Sequence, residues 1–365
     1  MAEILVSGYY GFYNTGDEAI LAGITRSVRE IAPDTSFTVV SGKAAYTRSL
    51  HGVNAVSRGD FKNIWRALGR ADLFVSGGGT LLQDITSSKS LTYYLGLITM
   101  AKMRLKPAMI YAQGAGPVNR AVGKTLIPLV ANGVDLITVR DPESAETMRH
   151  LGVRRPPLHV TADPALALGP SDPEWGARLL QEAGADLDRP VIGVSVRPWK
   201  QGEQAWEPGL AEALDQLARE TGAQVVFLPM QHHADVPAAA AVAKLMTQPA
   251  VLAQGDYTYE HLMAMVARCD LVVAMRYHAI VFAAMNTVPL VGLSYDPKND
   301  SFLRLIGEEV AGSTHRLEAA AVAAAGRKAL MESAVVKQRL AQKMAELTPL
   351  SRRNAQLALD LLKRR

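Results

Sequence analysis

The sequence contains a single cysteine, Cys269, among 365 residues. One cysteine excludes an internal disulfide bond, and no cluster of cysteine and histidine has the spacing of a zinc site. Because Cys269 lies next to an apolar run, we interpret it as a small core residue. No metal site is predicted.

Long apolar runs are absent as well. No run approaches the roughly 18 residues that a membrane-spanning helix needs. Residues 1–4 carry no basic region ahead of an apolar core, so a secretory signal is not expected. The expected location is the cytoplasm.

The charge is modest, with a formal net charge of +4. Basic and acidic residues alternate through most of the chain, which argues against a nucleic-acid-binding face. A weak preference for anionic partners is all that the charge indicates.

What the sequence does contain is a series of short, continuous apolar runs that alternate with helical patterns. Runs of this kind are typical of parallel strands buried on both faces. The pattern predicts an α/β protein with two Rossmann-like, doubly wound domains that face a cleft, as in GT-B glycosyltransferases. The runs are residues 4–6, 37–40, 73–75, 108–111, 136–139, 191–196, 225–228, 271–273 and 290–293.

Two domains also fit the length, because 365 residues exceed what one core usually supports. Residues 169–189 are rich in glycine, proline and aspartate and are predicted to form a linker. We therefore predict an N-terminal domain over 1–168, a C-terminal domain over 190–316, and a helical tail over 317–365 that could pack back on the N-terminal domain.

Arg276 and His278 follow the run 271–273, where a strand should turn into a helix. In open α/β sheets, ligands bind at the carboxyl ends of the strands. Histidine exchanges protons near neutral pH, and arginine offers a fork of donors to phosphate or carboxylate. Arg140 and Lys298 also follow strand ends. Although a single arginine of this kind is usually a structural ion-pair partner, the three cations together predict an anionic donor substrate.

The loop from Gly8 to Asp17 joins the first strand to the first helix. Its glycines lack the dinucleotide-binding spacing, and Lys43 stands where an acidic ribose ligand would be expected, so NAD is disfavoured. The loop is suited to bind a sugar, because its aromatic rings, including that of Tyr13, can stack on the sugar and the polar side chains of Asn14 and Asp17 can bind its hydroxyls. Asp17 has a second explanation, because an acid in the first helical turn complements the helix dipole.

A glycine-rich segment follows the third strand without the ending of a nucleotide-binding P-loop. Three glycines expose backbone donors to a ligand, or simply form a tight turn. We expect acceptor-binding groups here and after the fourth strand: Gly77, Gly78, Gly79, Gln83, Asp84 and Gln113. For Gln113 and its neighbours the turn interpretation is favoured. Asp141 and Asp235 are predicted to cap helices.

Taken in order, several segments resemble the polysaccharide pyruvyl transferase family over nearly the whole chain. They are Gly8 to Gly11, Gly16 to Ala19, Gly77 to Asp84, Val139 to Asp141 with Ser144, Thr161 to Pro164, Arg276 to Ala279, and Asp296 to Lys298. The resemblance implies phosphoenolpyruvate as donor and a GT-B-like pair of domains. The branch of bacterial cell-wall enzymes further implies a lipid-linked disaccharide ending in N-acetylmannosamine, whereas other branches modify galactose or other sugars.

This resemblance implies transfer of a pyruvyl group to a sugar as a ketal, which requires an acid, a base and an anion clamp. We assign His278 as principal acid/base, and Asp17 either as its partner or as the base that activates a sugar hydroxyl. Arg140, Arg276 and Lys298 would hold the carboxylate and phosphate of the donor. Phosphoenolpyruvate is a co-substrate, and no cofactor is expected. The alternative is a GT-B glycosyltransferase that uses a nucleotide sugar, and a non-catalytic glycan-binding protein ranks third.

The C-terminal tail offers a possible route to a lipid-linked acceptor. Basic side chains stand beside Leu357, Leu361 and Leu362 and could contact the anionic inner leaflet of the membrane. An ordinary helix docked on the N-terminal domain explains the same pattern. The basic residues are Arg352, Arg353, Lys363, Arg364 and Arg365.

Overall fold

The computed structural model describes residues 2–84, 88–199, 205–315 and 317–363. The chain divides into two compact units. The N-terminal unit contains Met1–Leu168 and Glu346–Arg365, and the C-terminal unit contains Gly169–Ala345.

The N-terminal unit is built on a parallel sheet in which each predicted apolar run forms a strand. The spatial order is β3-β2-β1-β4-β6-β7-β8, and β5 pairs with β6. The strands are β1 (Glu3–Ser7), β2 (Ser36–Ser41), β3 (Asn54–Ser57), β4 (Leu73–Ser76), β5 (Gly79–Leu82), β6 (Ala108–Ala115), β7 (Leu136–Val139) and β8 (Leu158–Val160).

Helices cover both faces of this sheet. The first helix buries Ile20, Leu21 and Ile24 against one face, while leucines and isoleucines of later helices pack on the other. The helices are α1 (Thr15–Ile31), α2 (Ala44–His51), α3 (Phe61–Arg70), α4 (Ser88–Met103), α5 (Ala121–Ala131) and α6 (Pro142–His150), followed by a 3₁₀ turn at Pro164–Leu168.

The end of the chain belongs to the same unit. Ala355, Ala358 and Leu359 are buried in the cluster that contains the apolar face of α1, and Leu361 is buried there too. Leu357 and Leu362 are partly buried against that cluster. Arg352, Arg353 and Lys363 are exposed, and Arg364 and Arg365 lie outside the described residues. The leucines beside these cations therefore pack on protein.

The C-terminal unit repeats the design with a six-stranded parallel sheet. Its order is β11-β10-β9-β12-β13-β14. The strands are β9 (Val191–Ser195), β10 (Gln224–Phe227), β11 (Ala250–Leu252), β12 (Leu271–Ala274), β13 (Leu290–Ser294) and β14 (Val310–Ser313). The helices are α7 (Pro173–Glu182), α8 (Glu207–Thr221), α9 (His232–Leu245), α10 (Tyr259–Arg268), α11 (Tyr277–Met285), α12 (Pro297–Ile306) and α13 (Ala319–Met331). The last helix, α14 (Ser333–Lys363), begins in this unit and belongs to the N-terminal unit from Glu346 onward.

Part of the segment that we interpret as a linker is helical. Helix α7 packs so closely on α10 that a Cβ atom at Gly176 would lie 1.9 Å from the carbonyl oxygen of Ala264. Residues 173–182 are thus an integral helix of the C-terminal unit. Cys269 follows α10, and burial raises the pKa of its thiol to about 12, as expected for a core residue.

Both sheets have a topological switch point. In each sheet the first three strands extend from the centre to one edge, and the following strands extend from the centre to the other edge. As a result, β1 is adjacent to β4 in one sheet, and β9 is adjacent to β12 in the other. Loops at the carboxyl ends of such strand pairs form the ligand-binding edge of doubly wound folds. The predicted fold class, two doubly wound α/β units with parallel sheets, is confirmed.

Within the described part of the chain, no helix is long and apolar enough to cross a membrane.

Candidate active site

In the C-terminal unit, the loop from β12 to α11 carries Arg276, which is the N-cap of that helix. The Nε of Arg276 donates a 2.9 Å hydrogen bond to Oδ2 of Asp235, and Nη2 donates to Oδ1. Gln231 accepts a further bond from Nη2 at 3.3 Å. Asp235 is fully buried, so this bidentate pair fixes the arginine and balances its charge.

The prediction that Asp235 caps a helix was wrong. Gln231 is the N-cap of α9, and Asp235 lies in its first turn, where it accepts the backbone N–H of Gln231 at 2.9 Å. Because its main partner is the Arg276 side chain, 41 residues away, local sequence could not reveal this role. By contrast, Asp141 caps α6 as predicted and accepts from the Ser144 N–H at 2.7 Å.

His278 is the second residue of α11 and is half-buried. The ring of Tyr277 meets it edge-on at a centroid distance of 5.0 Å, and the Phe282 ring lies 6.3 Å away. The first turn of a helix presents backbone N–H groups and the positive end of the helix dipole. His278 therefore combines a titratable group with surroundings that favour an anion.

Asn299 is a buried residue of this edge that sequence reasoning missed. Its Nδ2 donates to the carbonyl oxygens of Met275 at 2.6 Å and Leu293 at 3.0 Å. These bonds tie the start of α12 to the ends of β12 and β13. Nothing in the local pattern distinguishes Asn299 from an ordinary helix residue, because both acceptors are backbone groups brought near by the fold.

Lys298 stands at the start of α12, beside the buried ring of Tyr295. Its Nζ lies 5.1 Å from the ring centroid and 3.8 Å from Oδ2 of Asp296. The guanidinium of Arg197 lies 4.6 Å from the same ring and 5.2 Å from the ring of Trp199. Burial alone would raise the pKa of Tyr295, but the charges of Lys298 and Arg197 lower it below its ordinary value.

In the N-terminal unit, Arg140 follows β7 and is buried. Its Nη1 donates to Oδ2 of Asp163 at 3.1 Å, and its Nη2 donates to Oγ1 of Thr80 at 3.0 Å. Asp163 is itself buried and also accepts the N–H of Ala165. We expected Arg140 to point to a ligand, but the structure places its charge in a buried ion pair.

Loss of the Asp163 carboxylate should destabilise this unit strongly. Asp163→Ala would remove the hydrogen-bonded counter-ion of the buried Arg140 and leave only the longer contact of its Nε with Asp141, at 3.6 Å. Removing one partner of a buried ion pair typically costs about 3–5 kcal/mol. We expect that decrease in the free energy of unfolding, measured by chemical denaturation. Glu30→Ala, which breaks the exposed Arg26–Glu30 pair, is the matched control and should change stability by less than about 1 kcal/mol. Equal stability of the two variants would show that the Arg140–Asp163 pair contributes nothing.

The glycine segment after β4 is held by buried polar side chains. Nε2 of Gln113 donates to the carbonyl oxygens of Ser76 and Gly77, at 3.2 and 2.9 Å. Asp84 is buried and accepts the N–H groups of Asn119 and Arg120 at 2.9 and 2.7 Å. Gln113 and Asp84 thus shape loops at this edge, although we predicted them as acceptor-binding residues.

The three glycines after β4 are tightly packed, and each contacts a different residue. A Cβ atom at Gly77 would collide with the hydroxyl of Tyr10 at 2.2 Å, and one at Gly78 would lie 2.9 Å from Ile20. Gly79 has a φ of +89°, and a Cβ atom there would be 3.2 Å from Oδ1 of Asp17. The structure therefore brings the Asp17 carboxylate against the glycine segment, and Gln83 follows β5 half-buried.

The loop from β1 to α1 is anchored by its polar residues. Asn14 caps α1 and accepts the N–H of Gly16 at 3.2 Å. The buried carboxylate of Glu18 accepts the N–H of Gly11 at 2.8 Å and contacts Nε2 of His51 at 2.9 Å. Asn14 thus has a structural role. Tyr13 has a left-handed backbone with φ of +56°, a conformation that non-glycine residues adopt rarely.

Around Tyr13, two cations and several rings form a surface at the carboxyl ends of β2 and β3. The centroids of the Tyr13 and Tyr46 rings are 4.5 Å apart, and Nζ of Lys43 lies 5.0 Å from the centroid of the Tyr13 ring. Arg58 lies 5.3 Å from the Phe12 ring. Among the described residues, neither Lys43 nor Arg58 is within ion-pair distance of a carboxylate. We call Phe12, Tyr13, Lys43, Tyr46 and Arg58 the aromatic–cationic surface.

The sequence model of the polysaccharide pyruvyl transferase family matches residues 14–297 of the chain. No curated protein has a significantly similar sequence.

Solved structures with a GT-B fold are similar over nearly the whole chain. HepE of Anabaena in complex with UDP-glucose has 14% identity and a TM-score of 0.67, with 100% of both chains covered. S. aureus MnaA with UDP has 12% identity and a TM-score of 0.66, covering 96% of this chain and 92% of that one. UDP-GlcNAc 2-epimerase of Neisseria meningitidis, bound to UDP-GlcNAc, has 10% identity and a TM-score of 0.67, with both chains fully covered. At these identities the similarity extends to the fold alone.

Proposed function

The chain belongs to the polysaccharide pyruvyl transferase family, and from this we propose that it transfers the pyruvyl group of phosphoenolpyruvate to a sugar of a lipid-linked cell-wall polysaccharide precursor, forming a pyruvate ketal. The observation that carries the proposal is the β12–α11 junction. Arg276 and His278 stand there at a switch point, beside the β13 edge with Lys298. A proton-transfer group among cations suits an anionic enol phosphate.

The proposed reaction balances as follows. The methylene carbon of phosphoenolpyruvate gains a proton and becomes a methyl group. One sugar hydroxyl attacks C2 and loses its proton, and a second hydroxyl then displaces phosphate and closes the ketal. One hydroxyl proton balances the proton that carbon gains, and the other leaves with phosphate. The reaction therefore needs a group that exchanges protons and a clamp for the donor's charges.

We assign the donor groups to the C-terminal unit. His278 is the principal acid/base group. The Nε and Nη2 of Arg276 bind Asp235 and Gln231. We assign its third nitrogen, Nη1, to a donor oxygen, together with Nζ of Lys298. Arg140 supports the site indirectly, because its charge is already balanced by Asp163.

We assign the acceptor groups to the N-terminal unit. The Asp17 carboxylate, beside Gly79, is the proposed base for a sugar hydroxyl. Gly78, Gln83 and Tyr13 lie in the loops next to it, and Gln113 with Asp84 holds those loops in place. A sugar is suited to such a surface because its hydroxyls need acceptors and its apolar faces pack on rings.

The proposed function is tested with purified protein, phosphoenolpyruvate and a panel of lipid-linked or synthetic sugar acceptors. Phosphate release and a mass increase of one pyruvate ketal per acceptor are expected. Parallel reactions contain UDP-sugars without phosphoenolpyruvate. Sugar transfer from those donors, with no response to phosphoenolpyruvate, would contradict the proposal.

A nucleotide-sugar glycosyltransferase remains the second candidate, favoured by one observation. HepE, MnaA and the Neisseria epimerase all contain UDP or a UDP-sugar in their structures, and they share the fold. The family match favours pyruvyl transfer, and the UDP-sugar reactions above distinguish the two.

The aromatic–cationic surface predicts how an acceptor with a diphosphate would be bound. Arg58→Ala should raise KM for such an acceptor roughly tenfold, because a hydrogen bond between charged groups is lost. KM for a synthetic acceptor without the diphosphate should change little. Steady-state kinetics with both acceptors measure the difference, and Arg66→Ala in α3 is the control. An equal effect on both acceptors would place Arg58 outside diphosphate binding.

A cytoplasmic location, with contact to the inner membrane leaflet, is part of the same proposal. The exposed side chains of Arg352, Arg353 and Lys363 would provide the attraction, which salt screens. Co-sedimentation with anionic vesicles tests it: binding that is equal on neutral vesicles would exclude an electrostatic contact.

A further inference from the structure

We propose that Arg197 is a donor-binding residue, whose guanidinium, together with Lys298 and Tyr295, binds an oxyanion group, either phosphate or carboxylate. The identification of that group as part of phosphoenolpyruvate rests on the proposed function. The site itself rests on the position and charge of Arg197.

The position follows from the sheet order. Arg197 comes two residues after β9, one of the two strands at the switch point, and Arg276 follows the other, β12. In the sheet, β12 lies between β9 and β13. The 4.6 Å contact between Arg197 and Tyr295 joins the loops after β9 and β13, and thus crosses the carboxyl end of β12. That end is where Arg276 and His278 begin α11.

The charge of Arg197 is not balanced by a carboxylate of the described residues. Its neighbours are the rings of Trp199 and Tyr295, and its Nε is buried without a hydrogen-bond partner there. Burying a charged donor without an acceptor is unfavourable. Arg140 and Arg276 differ, because each donates to a buried aspartate, Asp163 or Asp235. An anion bound at Arg197 would supply the missing acceptor.

A second cation, Lys298, contacts the same ring. Nζ of Lys298 lies 5.1 Å from the Tyr295 ring that Arg197 also contacts, and within the described part of the chain its carboxylate contact, to Asp296, is 3.8 Å long. A guanidinium and an ammonium group beside one ring offer a planar fork and a point charge to an anion. The lowered pKa of Tyr295 reflects the same excess of positive charge.

The experiment compares wild type, Arg197→Ala, Arg197→Lys and the control Arg178→Ala, whose exposed arginine lies on α7 in the same unit. Isothermal titration calorimetry measures Kd for phosphoenolpyruvate, inorganic phosphate and pyruvate. We expect Arg197→Ala to weaken phosphoenolpyruvate binding by roughly 10- to 150-fold, the loss of one charged hydrogen bond. Arg197→Lys should recover part of the loss, because it keeps the charge but not the fork. Thermal unfolding confirms that each variant is folded.

The small anions identify which group Arg197 holds. If Arg197→Ala loses affinity for phosphate only, Arg197 binds the phosphoryl group of the donor. If it loses affinity for pyruvate only, Arg197 binds the carboxylate. If the wild type binds phosphate through Arg197 but does not bind phosphoenolpyruvate, the anion site stands and the proposed function fails. If folded Arg197→Ala binds all three compounds within about threefold of Arg178→Ala, the proposal for Arg197 is wrong.

Discussion

Replacing His278 by glutamine is expected to reduce kcat by about 10²- to 10⁴-fold, the usual contribution of a group that transfers protons. Glutamine keeps much of the size and hydrogen-bonding capacity of histidine but cannot exchange a proton near neutral pH. Because His278 is half-buried at the start of α11, its replacement should leave the fold intact.

The measurement is single-turnover phosphate release from phosphoenolpyruvate, with thermal unfolding as the test of structure. His150→Gln is the matched control, since the side chain of His150 is 75% exposed on α6 of the other unit. His150→Gln should behave like wild type. If folded His278→Gln keeps more than about a tenth of the wild-type rate, His278 is not the acid/base group.

Asp17→Asn is expected to lower the rate by a similar factor, about 10² or more, if the carboxylate removes a proton from the acceptor hydroxyl. The loss should appear in kcat with acceptor present, whereas phosphoenolpyruvate binding by the C-terminal unit should stay unchanged. Asp34→Asn, at an exposed position in the same unit, is the control.

The competing explanation for Asp17 makes a different prediction. If the carboxylate only complements the dipole of α1, asparagine would cost about 0.3–1 kcal/mol of stability and leave the rate almost unchanged. A comparison of stability and rate for Asp17→Asn therefore separates the two roles.

The strands that the sequence revealed are those at the centre of each sheet. The runs 4–6, 37–40 and 73–75 lie within β1, β2 and β4, because strands covered by helices on both faces are continuously apolar. The strands that it did not reveal, such as β3, β8, β11 and β14, are short and only partly buried at sheet edges. Their sequences resemble loops.

The site shows a similar division. Position at a strand end singled out Arg140 in the N-terminal unit and Arg276 and Lys298 in the C-terminal unit, because ligands of doubly wound folds bind at the carboxyl ends of the strands. The ion pairs of the two arginines were not predictable, since Asp163 lies 23 residues from Arg140 and Asp235 lies 41 residues from Arg276 in the sequence. The same rule of position applies to Arg197 after β9, but only its lack of a carboxylate partner among the described residues makes it distinctive.

The most direct test of the central claim is the fate of the carbon atoms of phosphoenolpyruvate. Donor labelled with ¹³C at the methylene carbon is incubated in D₂O with protein and acceptor, and the product is analysed by NMR and mass spectrometry. We expect the label in the methyl group of a sugar-bound pyruvate ketal, with one deuterium on that carbon and one phosphate released per ketal. Unlabelled product, or a sugar acquired from a nucleotide donor instead, would contradict the account.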